Sequence, residues 1–221
     1  MAANAHTADK RILGVILAGG QSRRMGGGDK CFADLGGRPI LDHVIARFAQ
    51  QVGSLILNAN GDLQRFAAFN LPVVPDLNDR ADGPMAGIVA AMDWAARSPA
   101  GIQAIATVTS DVPFLPINLV AKLHAASAFG PAVAVSNDRR HPTIALWPMT
   151  FRDLIAEAIA NDERGLNYFA VRNNAVEVSF PLGEADGQMI DPFFNINTPT
   201  DLAEARAILA KSLVSSPQHD E

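Results

Sequence analysis

Short apolar runs alternate with segments of helical spacing along most of this chain, and this alternation limits the fold more than any other feature. Residues 11–17 (RILGVIL) predict a buried strand, because the run is β-branched, too short for a core helix and followed by Ala18-Gly19-Gly20. Further strands are predicted at 54–57, 73–74, 103–109, 132–136, 143–147 and 175–180, and helices at 39–51, 62–69, 84–96, 116–127, 151–160, 166–171 and 198–213.

Alternating strands and helices predict an α/β fold in which a mostly parallel sheet carries helices on both faces. The chain has no internal repeat and no long linker, so we expect one domain at 11–212 between flexible ends at 1–10 and 213–221. Ligands of such sheets bind beyond the carboxyl ends of the strands. The polar residues that end the apolar runs therefore form the expected site: residues 18–30, Asn58, Asp76 and Asp111.

The formal net charge of -5 and the single cysteine argue against several classes of protein. An acidic balance disfavours broad nucleic-acid binding, which needs a basic face. Cys31 cannot form an intrachain disulfide, which suits a reducing compartment. The N-terminal residues lack a signal-peptide core, and no apolar run is long enough to span a bilayer. We therefore expect a soluble cytoplasmic protein that binds neither nucleic acid nor membrane.

A glycine-rich loop with three cations follows the first predicted strand. Residues 17–30 read LAGGQSRRMGGGDK, in which Arg23, Arg24 and Lys30 supply charges suited to polyphosphate. Glycines there let the backbone approach a ligand and turn its N–H groups inward. The loop fits neither GxGxxG nor GxxxxGKS/T, so it is either a third type of phosphate loop or a solvated turn. Its position and its cations favour the phosphate loop.

Three polar residues at strand ends each have a functional and a structural interpretation. Asp111, in TSDVPF, can hold Mg²⁺, which prefers carboxylate, water and phosphate oxygens, or can cap a helix. Asn58 and Asp76 can bind the base or ribose of a nucleotide, or can form Asx turns. The glycine-rich loop nearby favours the metal role for Asp111.

Two later segments offer polar groups for a second substrate. The segment 139–143 (RRHPT), which overlaps the predicted polar turn at 137–141, is a cationic turn that suits an anionic substrate, although a solvated hairpin turn is the stronger interpretation of this segment alone. Asn197 can place its amide on metal or phosphate, or can take part in capping the last helix, for which Thr198 is the candidate N-cap. The chain has no GxSxG motif and no cluster of His and Cys, so a hydrolase or a zinc enzyme is disfavoured.

Six motifs together resemble the molybdenum cofactor guanylyltransferases. From about residue 13 to residue 207 they are LAGGQSRRMGGGDK, NANGD, PDLNDRADGPMAG, TSDVPF, HPTIAL and FNINTPTDL. The first motif is typical of the whole nucleotidyltransferase superfamily, and the later ones make the resemblance specific. It implies a Rossmann-like, three-layer nucleotidyltransferase fold. It also implies transfer of GMP from GTP to the terminal phosphate of molybdopterin carrying molybdenum, with release of pyrophosphate and with transient protein partners in cofactor insertion.

The same resemblance implies roles for single residues, with Mg²⁺ held by Asp111. The residues that would bind GTP are Leu17, Ala18, Gly19, Lys30, Asn58, Asp76 and Asp111. The residues that would lie toward the pterin are Gly83, Pro84, Met85, Asn195 and Asn197. One member of the family has two adjacent arginines where this chain has Arg164-Gly165. The candidates for binding the pterin phosphate are therefore Arg164, or Arg139 with Arg140.

Phosphoryl transfer needs positioning and charge neutralisation rather than a general base. We expect Arg24 and Lys30 to stabilise the transition state and the leaving pyrophosphate, and Asp111 to hold a bridging Mg²⁺. Gly19-Gly20 favours a purine by the same resemblance. Three alternatives stay open: a pterin cytidylyltransferase or sugar-phosphate nucleotidyltransferase, a nucleotide-binding carrier without activity, and an NAD-dependent oxidoreductase, which the missing GxGxxG disfavours.

Overall fold

The computed structural model describes residues 9–18, 29–77, 83–128, 130–163, 165–185 and 188–214. Within these residues the centre is a sheet of seven strands: β1 (Asp9–Leu17), β2 (Val52–Asn58), β3 (Val73–Val74), β4 (Ala104–Thr109), β5 (Ala132–Ser136), β6 (Arg139–Pro148) and β7 (Val176–Ser179). The α-helices in the described part of the chain are α1 (Ile40–Phe48), α2 (Pro84–Ala96), α3 (Leu119–Ala126), α4 (Arg152–Ala160), α5 (Leu166–Arg172) and α6 (Pro199–Val214).

The sheet is mostly parallel, in the order β3-β2-β1-β4-β6-β5-β7. Strand β1 lies between β2 and β4 and is parallel to both, while β3 is parallel to β2 and β7 is parallel to β5. Strand β6 runs antiparallel to both of its neighbours, β4 and β5. The predicted mostly parallel sheet is confirmed, and the carboxyl ends of β1, β2 and β4 meet at one edge.

Helices cover both faces of the sheet, as predicted. Side chains of β1 alternate between two apolar clusters, with Ile12 and Ile16 in one and Leu13 and Val15 in the other. Helices α1 and α3 bury most of their apolar residues in the first cluster, and α2, α4 and α5 bury theirs in the second. Gly14 permits close packing on the α1 side, because an added Cβ would lie 3.1 Å from the Phe48 ring and 2.8 Å from Leu55.

A third apolar cluster fixes the segment that leads into α6. Ile196 packs there with Leu35, Ile40 and Ala205, which ties residues 191–197 to the chain that follows Lys30. The start of α6 is capped, because the backbone N–H of Asp201 donates to Oγ1 of Thr198 at 3.2 Å. The carboxylate of Asp201 in turn accepts from the backbone N–H of Thr198 at 2.8 Å. The predicted N-cap at Thr198 is confirmed.

The structure differs from the sequence prediction at the β5–β6 hairpin. We predicted a polar turn at 137–141, but the turn consists of Asn137 and Asp138, and residues 139–141 belong to β6. Both turn residues have positive φ angles, 47° and 56°, which asparagine and aspartate adopt more readily than most side chains and which a two-residue hairpin turn requires. The predicted cationic turn is therefore wrong, and its cations lie along a strand.

Other elements differ in type or length. The short helix predicted at 62–69 is a 3-10 helix, Leu63–Phe69, a type that apolar spacing does not separate from an α-helix over so short a stretch. Helix α3 begins at Leu119 rather than at residue 116, and β1 begins at Asp9 within the expected flexible end. A small hairpin, β8 (Gly183–Ala185) with β9 (Gln188–Ile190), was not predicted. Among the described residues, no helix has the length and apolar character needed to cross a membrane.

Candidate active site

A cavity of about 390 Å³ opens at the carboxyl edge of the sheet, where β1, β2 and β4 end. Its size lies within the range of sites for small molecules, roughly 300–1,000 Å³. The structure therefore brings together, at one cavity, residues from distant parts of the sequence. The cavity is lined by Leu17, Ala18, Asp29, Lys30, Cys31, Asn58, Asn60, Asp76, Gly83, Pro84, Thr109, Ser110, Asp111 and Thr143.

An ion pair between Lys30 and Asp111 lies in the wall of this cavity. The Lys30 Nζ donates to Oδ2 of Asp111 at 2.9 Å and to Oδ1 of Asn197 at 2.5 Å. The Lys30 and Asp111 side chains are only 16% and 13% exposed, so the charges are partly shielded from water. The backbone N–H of Ile196 donates to the carbonyl oxygen of Asp111 at 3.0 Å, which holds the segment before α6 against the end of β4. Three predicted site residues are thus in direct contact.

The second carboxylate oxygen of Asp111 is a candidate metal ligand. Oδ1 is buried and has no hydrogen-bond partner among the described residues, whereas Oδ2 is bonded to Lys30. No group of three or more His, Cys, Asp or Glu side chains in this part of the chain is placed to hold a metal ion. Mg²⁺ does not need such a group, because it commonly binds one or two carboxylates, water and substrate phosphates. A single carboxylate with one free oxygen fits that pattern.

Asp76, which follows β3, is held by two asparagines at the end of β2. The Asn58 amide donates to Oδ1 of Asp76 at 2.8 Å, and the Asn60 amide donates to Oδ2 at 2.7 Å. Asn60 also accepts from the backbone N–H of Asp76 at 2.9 Å. These bonds fix the direction of the carboxylate at the cavity wall. Sequence reasoning named Asn58 and Asp76 but missed Asn60, although it lies in the same NANGD motif.

Gly87, in the first turns of α2, makes room for Asn58. A Cβ added at Gly87 would lie 2.2 Å from Oδ1 of Asn58 and 3.1 Å from Cδ2 of Leu17. No real Cβ comes so close to an oxygen, so any larger residue would displace the Asn58 side chain. The glycine therefore explains part of the GPMAG motif as a packing requirement of the site.

Arg65 and Asp29 form a second ion pair beside the cavity. The Arg65 Nε lies 2.5 Å from Oδ2 of Asp29, and the two side chains are 26% and 22% exposed. Arg65 belongs to the 3-10 helix Leu63–Phe69, which follows β2. Sequence reasoning assigned no role to either residue, and no local motif could have paired two residues in separate segments.

Cys31 lies in the cavity wall next to Lys30 and is buried. Burial raises the pKa of its thiol to about 12, and the charge of Asp29 adds to that effect. The thiol is therefore protonated and unreactive at neutral pH, because the thiolate is the nucleophilic form. The interpretation of Cys31 as a small packing residue agrees with this environment.

The predicted pterin-side residues occupy different environments. Gly83 and Pro84 line the cavity, together with the GTP-side residues Leu17 and Ala18. Met85 is 2% exposed and packs into the apolar cluster under α2, so its side chain does not reach the cavity. Asn195 is exposed at the surface, one residue before the buried Ile196. Three predicted residues lie outside the described part of the chain: Gly19, Arg24 and Arg164.

The charged residues of β6 point to different neighbours. Arg140 is bonded to Glu177 on the edge strand β7, so its charge is already paired. Nε2 of His141 lies 2.8 Å from Oγ of Ser136, which donates to Oδ1 of Asp191 at 2.7 Å. Burial lowers the pKa of His141, so its ring is neutral near pH 7. Arg139 is exposed and has no ion pair among the described residues.

Comparison with known proteins identifies the family. Residues 14–176 match the model of the MobA-like NTP transferase domain. The chain is 47% identical over 203 residues to the molybdenum cofactor guanylyltransferase of Mesorhizobium japonicum. The aligned region covers 90% of this chain and 96% of that protein.

Solved structures share the fold at lower sequence identity. The molybdopterin-guanine dinucleotide biosynthesis protein A of Archaeoglobus fulgidus superposes with a TM-score of 0.67 at 22% identity, covering 90% of this chain and 99% of the other. The 4-diphosphocytidyl-2C-methyl-D-erythritol synthase of Anaerococcus prevotii gives 0.65 at 15% identity, covering 90% and 96%. The family expected from the motifs is confirmed: the chain belongs to the MobA-like nucleotidyltransferases and, within them, to the molybdenum cofactor guanylyltransferases.

Proposed function

We propose that this protein transfers GMP from GTP to the terminal phosphate of molybdopterin carrying molybdenum, forming the molybdopterin guanine dinucleotide and pyrophosphate. The observation that carries the proposal is the Lys30–Asp111 pair in the cavity wall, in a chain 47% identical to a molybdenum cofactor guanylyltransferase. A cation beside a carboxylate with one free oxygen provides both kinds of group that handle a triphosphate.

The reaction is a single displacement at the α phosphorus of GTP. An oxygen of the acceptor phosphate forms a new bond to this phosphorus, and the bond from the phosphorus to the α–β bridging oxygen breaks. The electron pair of the broken bond leaves with pyrophosphate. The acceptor phosphate is already anionic near neutral pH, so no general base is needed. Catalysis then depends on alignment of the two substrates and on neutralisation of charge.

Different residues are assigned to the two substrates, one set to GTP and the other to the pterin. Lys30, with Arg24, stabilises charge on the phosphates and on the leaving pyrophosphate, and Asn58 and Asp76 bind the base or the ribose. Contacts with GTP are assigned to Leu17, Ala18 and Gly19, as the family resemblance implies. The side toward the pterin consists of Gly83, Pro84, Met85, Asn195 and Asn197, with Met85 contributing only its backbone because its side chain is buried.

Mg²⁺ fits the free Oδ1 of Asp111, while Oδ2 of the same carboxylate orients Lys30. When bound at this oxygen, the ion would supply positive charge that offsets the charge of the phosphates. Asp111 would therefore have two tasks, since Oδ2 holds the lysine and Oδ1 would hold the metal. Removing its charge affects both tasks at once.

The proposal includes the compartment and the protein partners. We place the reaction in the cytoplasm, where a single buried thiol such as Cys31 stays reduced. Proteins that deliver the pterin or receive the dinucleotide would bind transiently. The acidic net charge of -5 gives no support for a nucleic-acid partner.

The test is a reconstituted assay with purified protein, Mg²⁺, molybdopterin carrying molybdenum, and either GTP or CTP. We expect dinucleotide and pyrophosphate in equal amounts with GTP, and little product with CTP. Asp111→Asn should lower the rate by about 100-fold or more, as does removal of a transition-state donor in other enzymes. Asp93→Asn is the matched control, because it breaks an ion pair with Arg152 outside the cavity. Preference for CTP, or GTP binding without pyrophosphate release, would overturn the proposal.

A further inference from the structure

The Arg65 guanidinium is held from three directions. Its Nε lies 2.5 Å from Oδ2 of Asp29, an ion-pair contact that lacks hydrogen-bond geometry, and its Nη1 donates to the carbonyl oxygen of Asp62 at 2.6 Å. Its central carbon lies 4.6 Å from the centroid of the Phe66 ring, within the range of a cation–π contact. Fixing a long side chain in this way costs conformational entropy. The stabilisation from an ordinary exposed ion pair is too small to offset that cost. The arrangement therefore needs an explanation beyond a surface salt bridge.

Asp29 is the residue immediately before Lys30 and lies in the cavity wall with it. It occupies the N-cap position of the 3-10 helix Lys30–Phe32, yet its side chain makes no capping hydrogen bond. The carboxylate turns instead to Arg65, while the Asp29 backbone carbonyl accepts from the N–H of Phe32 at 3.1 Å. The side chain and the backbone of Asp29 are thus both fixed, and together they set the direction in which the chain presents Lys30.

Charge gives a second reason for the pair. A carboxylate in the wall of a site for a triphosphate opposes binding, because like charges repel most strongly where water is excluded. Arg65 neutralises this carboxylate, whereas the Lys30 ammonium group is directed to Asp111 and Asn197. Without Arg65, Asp29 would attract the Lys30 ammonium group and repel the phosphates.

We infer that Arg65 is a positioning residue for the transfer reaction. It acts through Asp29 to keep Lys30 directed at Asp111 and to cancel the negative charge of Asp29 in the cavity wall. The inference rests on the proposed function, since it assumes that a nucleoside triphosphate occupies the cavity. Its alternative is a purely structural pair that anchors the 3-10 helix Leu63–Phe69.

The first experiment compares Arg65→Met, which keeps an unbranched apolar stem but removes the guanidinium group that lies over Phe66, in two backgrounds. In the wild-type background we expect kcat/KM for GTP to fall by about tenfold, because small misplacements of an orienting group are costly. In the Lys30→Ala background we expect a smaller fall, because the positioning of Lys30 no longer contributes and only the repulsion between Asp29 and the phosphates remains. The matched control is Arg152→Met, which removes the ion pair to Asp93 outside the cavity and should leave kcat/KM unchanged. An equal fold-decrease in kcat/KM in the wild-type and Lys30→Ala backgrounds would show that the Arg65–Asp29 pair has a structural role, and would overturn the inference.

The second experiment removes the acid. If the unneutralised carboxylate of Asp29 causes the loss of activity in Arg65→Met, the double variant Arg65→Met/Asp29→Ala should be more active than Arg65→Met alone. A purely structural pair predicts no such recovery.

Calorimetric titration of GTP, in the presence of Mg²⁺ but without acceptor, compares the same variants by GTP affinity, without turnover. GTP affinity should fall in Arg65→Met and recover in the double variant, and unchanged affinity across the variants would contradict the inference. Failure of transfer in the wild type would count against the proposed function instead.

Discussion

The ammonium group of Lys30 lies 2.9 Å from the carboxylate of Asp111, although 81 residues separate them in the sequence. Lys30 follows the loop after β1, and Asp111 follows β4, the strand paired with β1. The parallel register of these strands therefore creates the pair. Asn197, which arrives from the start of α6, completes it by accepting from Lys30 at 2.5 Å.

Lys30→Ala removes the ammonium group that is bonded to both Asp111 and Asn197. We expect kcat to fall by about 100-fold, as for the loss of a preorganised transition-state donor, with a smaller change in KM for GTP. Steady-state measurement of pyrophosphate release gives both constants. Lys211→Ala, at the far end of α6, is a suitable control for loss of a lysine elsewhere. A fall in kcat below about threefold would remove Lys30 from the charge-stabilising role.

Gly87→Ala tests the packing of α2 against Asn58. Because the new Cβ would lie 2.2 Å from Oδ1 of Asn58, the amide must move away from Asp76. We expect the Kd for GTP to rise by about tenfold, which corresponds to loss of roughly one well-made polar contact. Gly130→Ala is the control, since its Cβ would lie 3.9 Å from the nearest atom, on Phe151. Equal GTP affinity in the two variants would show that Asn58 does not bind the nucleotide.

Arg139→Ala tests which cation meets the acceptor phosphate. Arg139 is exposed on β6 with no ion pair among the described residues, whereas Arg140 is already bonded to Glu177. We expect Arg139→Ala to raise KM for the pterin by about fivefold to tenfold, in keeping with a charge-assisted contact, and to leave KM for GTP unchanged. Arg140→Ala should leave both constants near the wild-type values. The reverse ranking of the two variants would assign the contact to Arg140.

His141 predicts a pH dependence of stability. Burial lowers its pKa below the usual value of 6.5, so the unfolded chain binds more protons than the folded chain beneath pH 6.5. The free energy of unfolding should therefore fall as the pH drops through that window, and His141 should contribute no such slope above it. His141→Gln removes the titrating ring and keeps an amide that can donate to Ser136. Urea unfolding at about pH 7.5 and about pH 5.5 should show a smaller fall for this variant than for the wild type. Equal falls would contradict the role assigned to His141.

The sequence predicted the parts of the site that follow from strand ends. Asn58, Asp76 and Asp111 each follow an apolar run, and the parallel sheet brings them to one cavity. The bond from Lys30 to Asn197 spans 167 residues and depends on how α6 packs, which no local pattern encodes.

The parts that the sequence did not predict depend on tertiary contacts or on fine backbone geometry. Arg65 and Asp29 meet only because the 3-10 helix after β2 packs beside residues 29–32. The two-residue turn at Asn137 and Asp138 depends on two left-handed residues, a signal that apolar periodicity does not carry. Met85 lies in a motif that suggested a ligand contact, but its side chain fills the core beneath α2.

The most direct test of the central claim follows the fate of the phosphates of GTP. Purified protein is given Mg²⁺, molybdopterin carrying molybdenum, and GTP radiolabelled at either the α or the γ phosphate. Displacement at the α phosphorus predicts that the α label appears in the pterin dinucleotide, that the γ label appears in pyrophosphate, and that both transfers are lost in Asp111→Asn. Release of the γ label as free phosphate, or no α label on the pterin, would contradict the account.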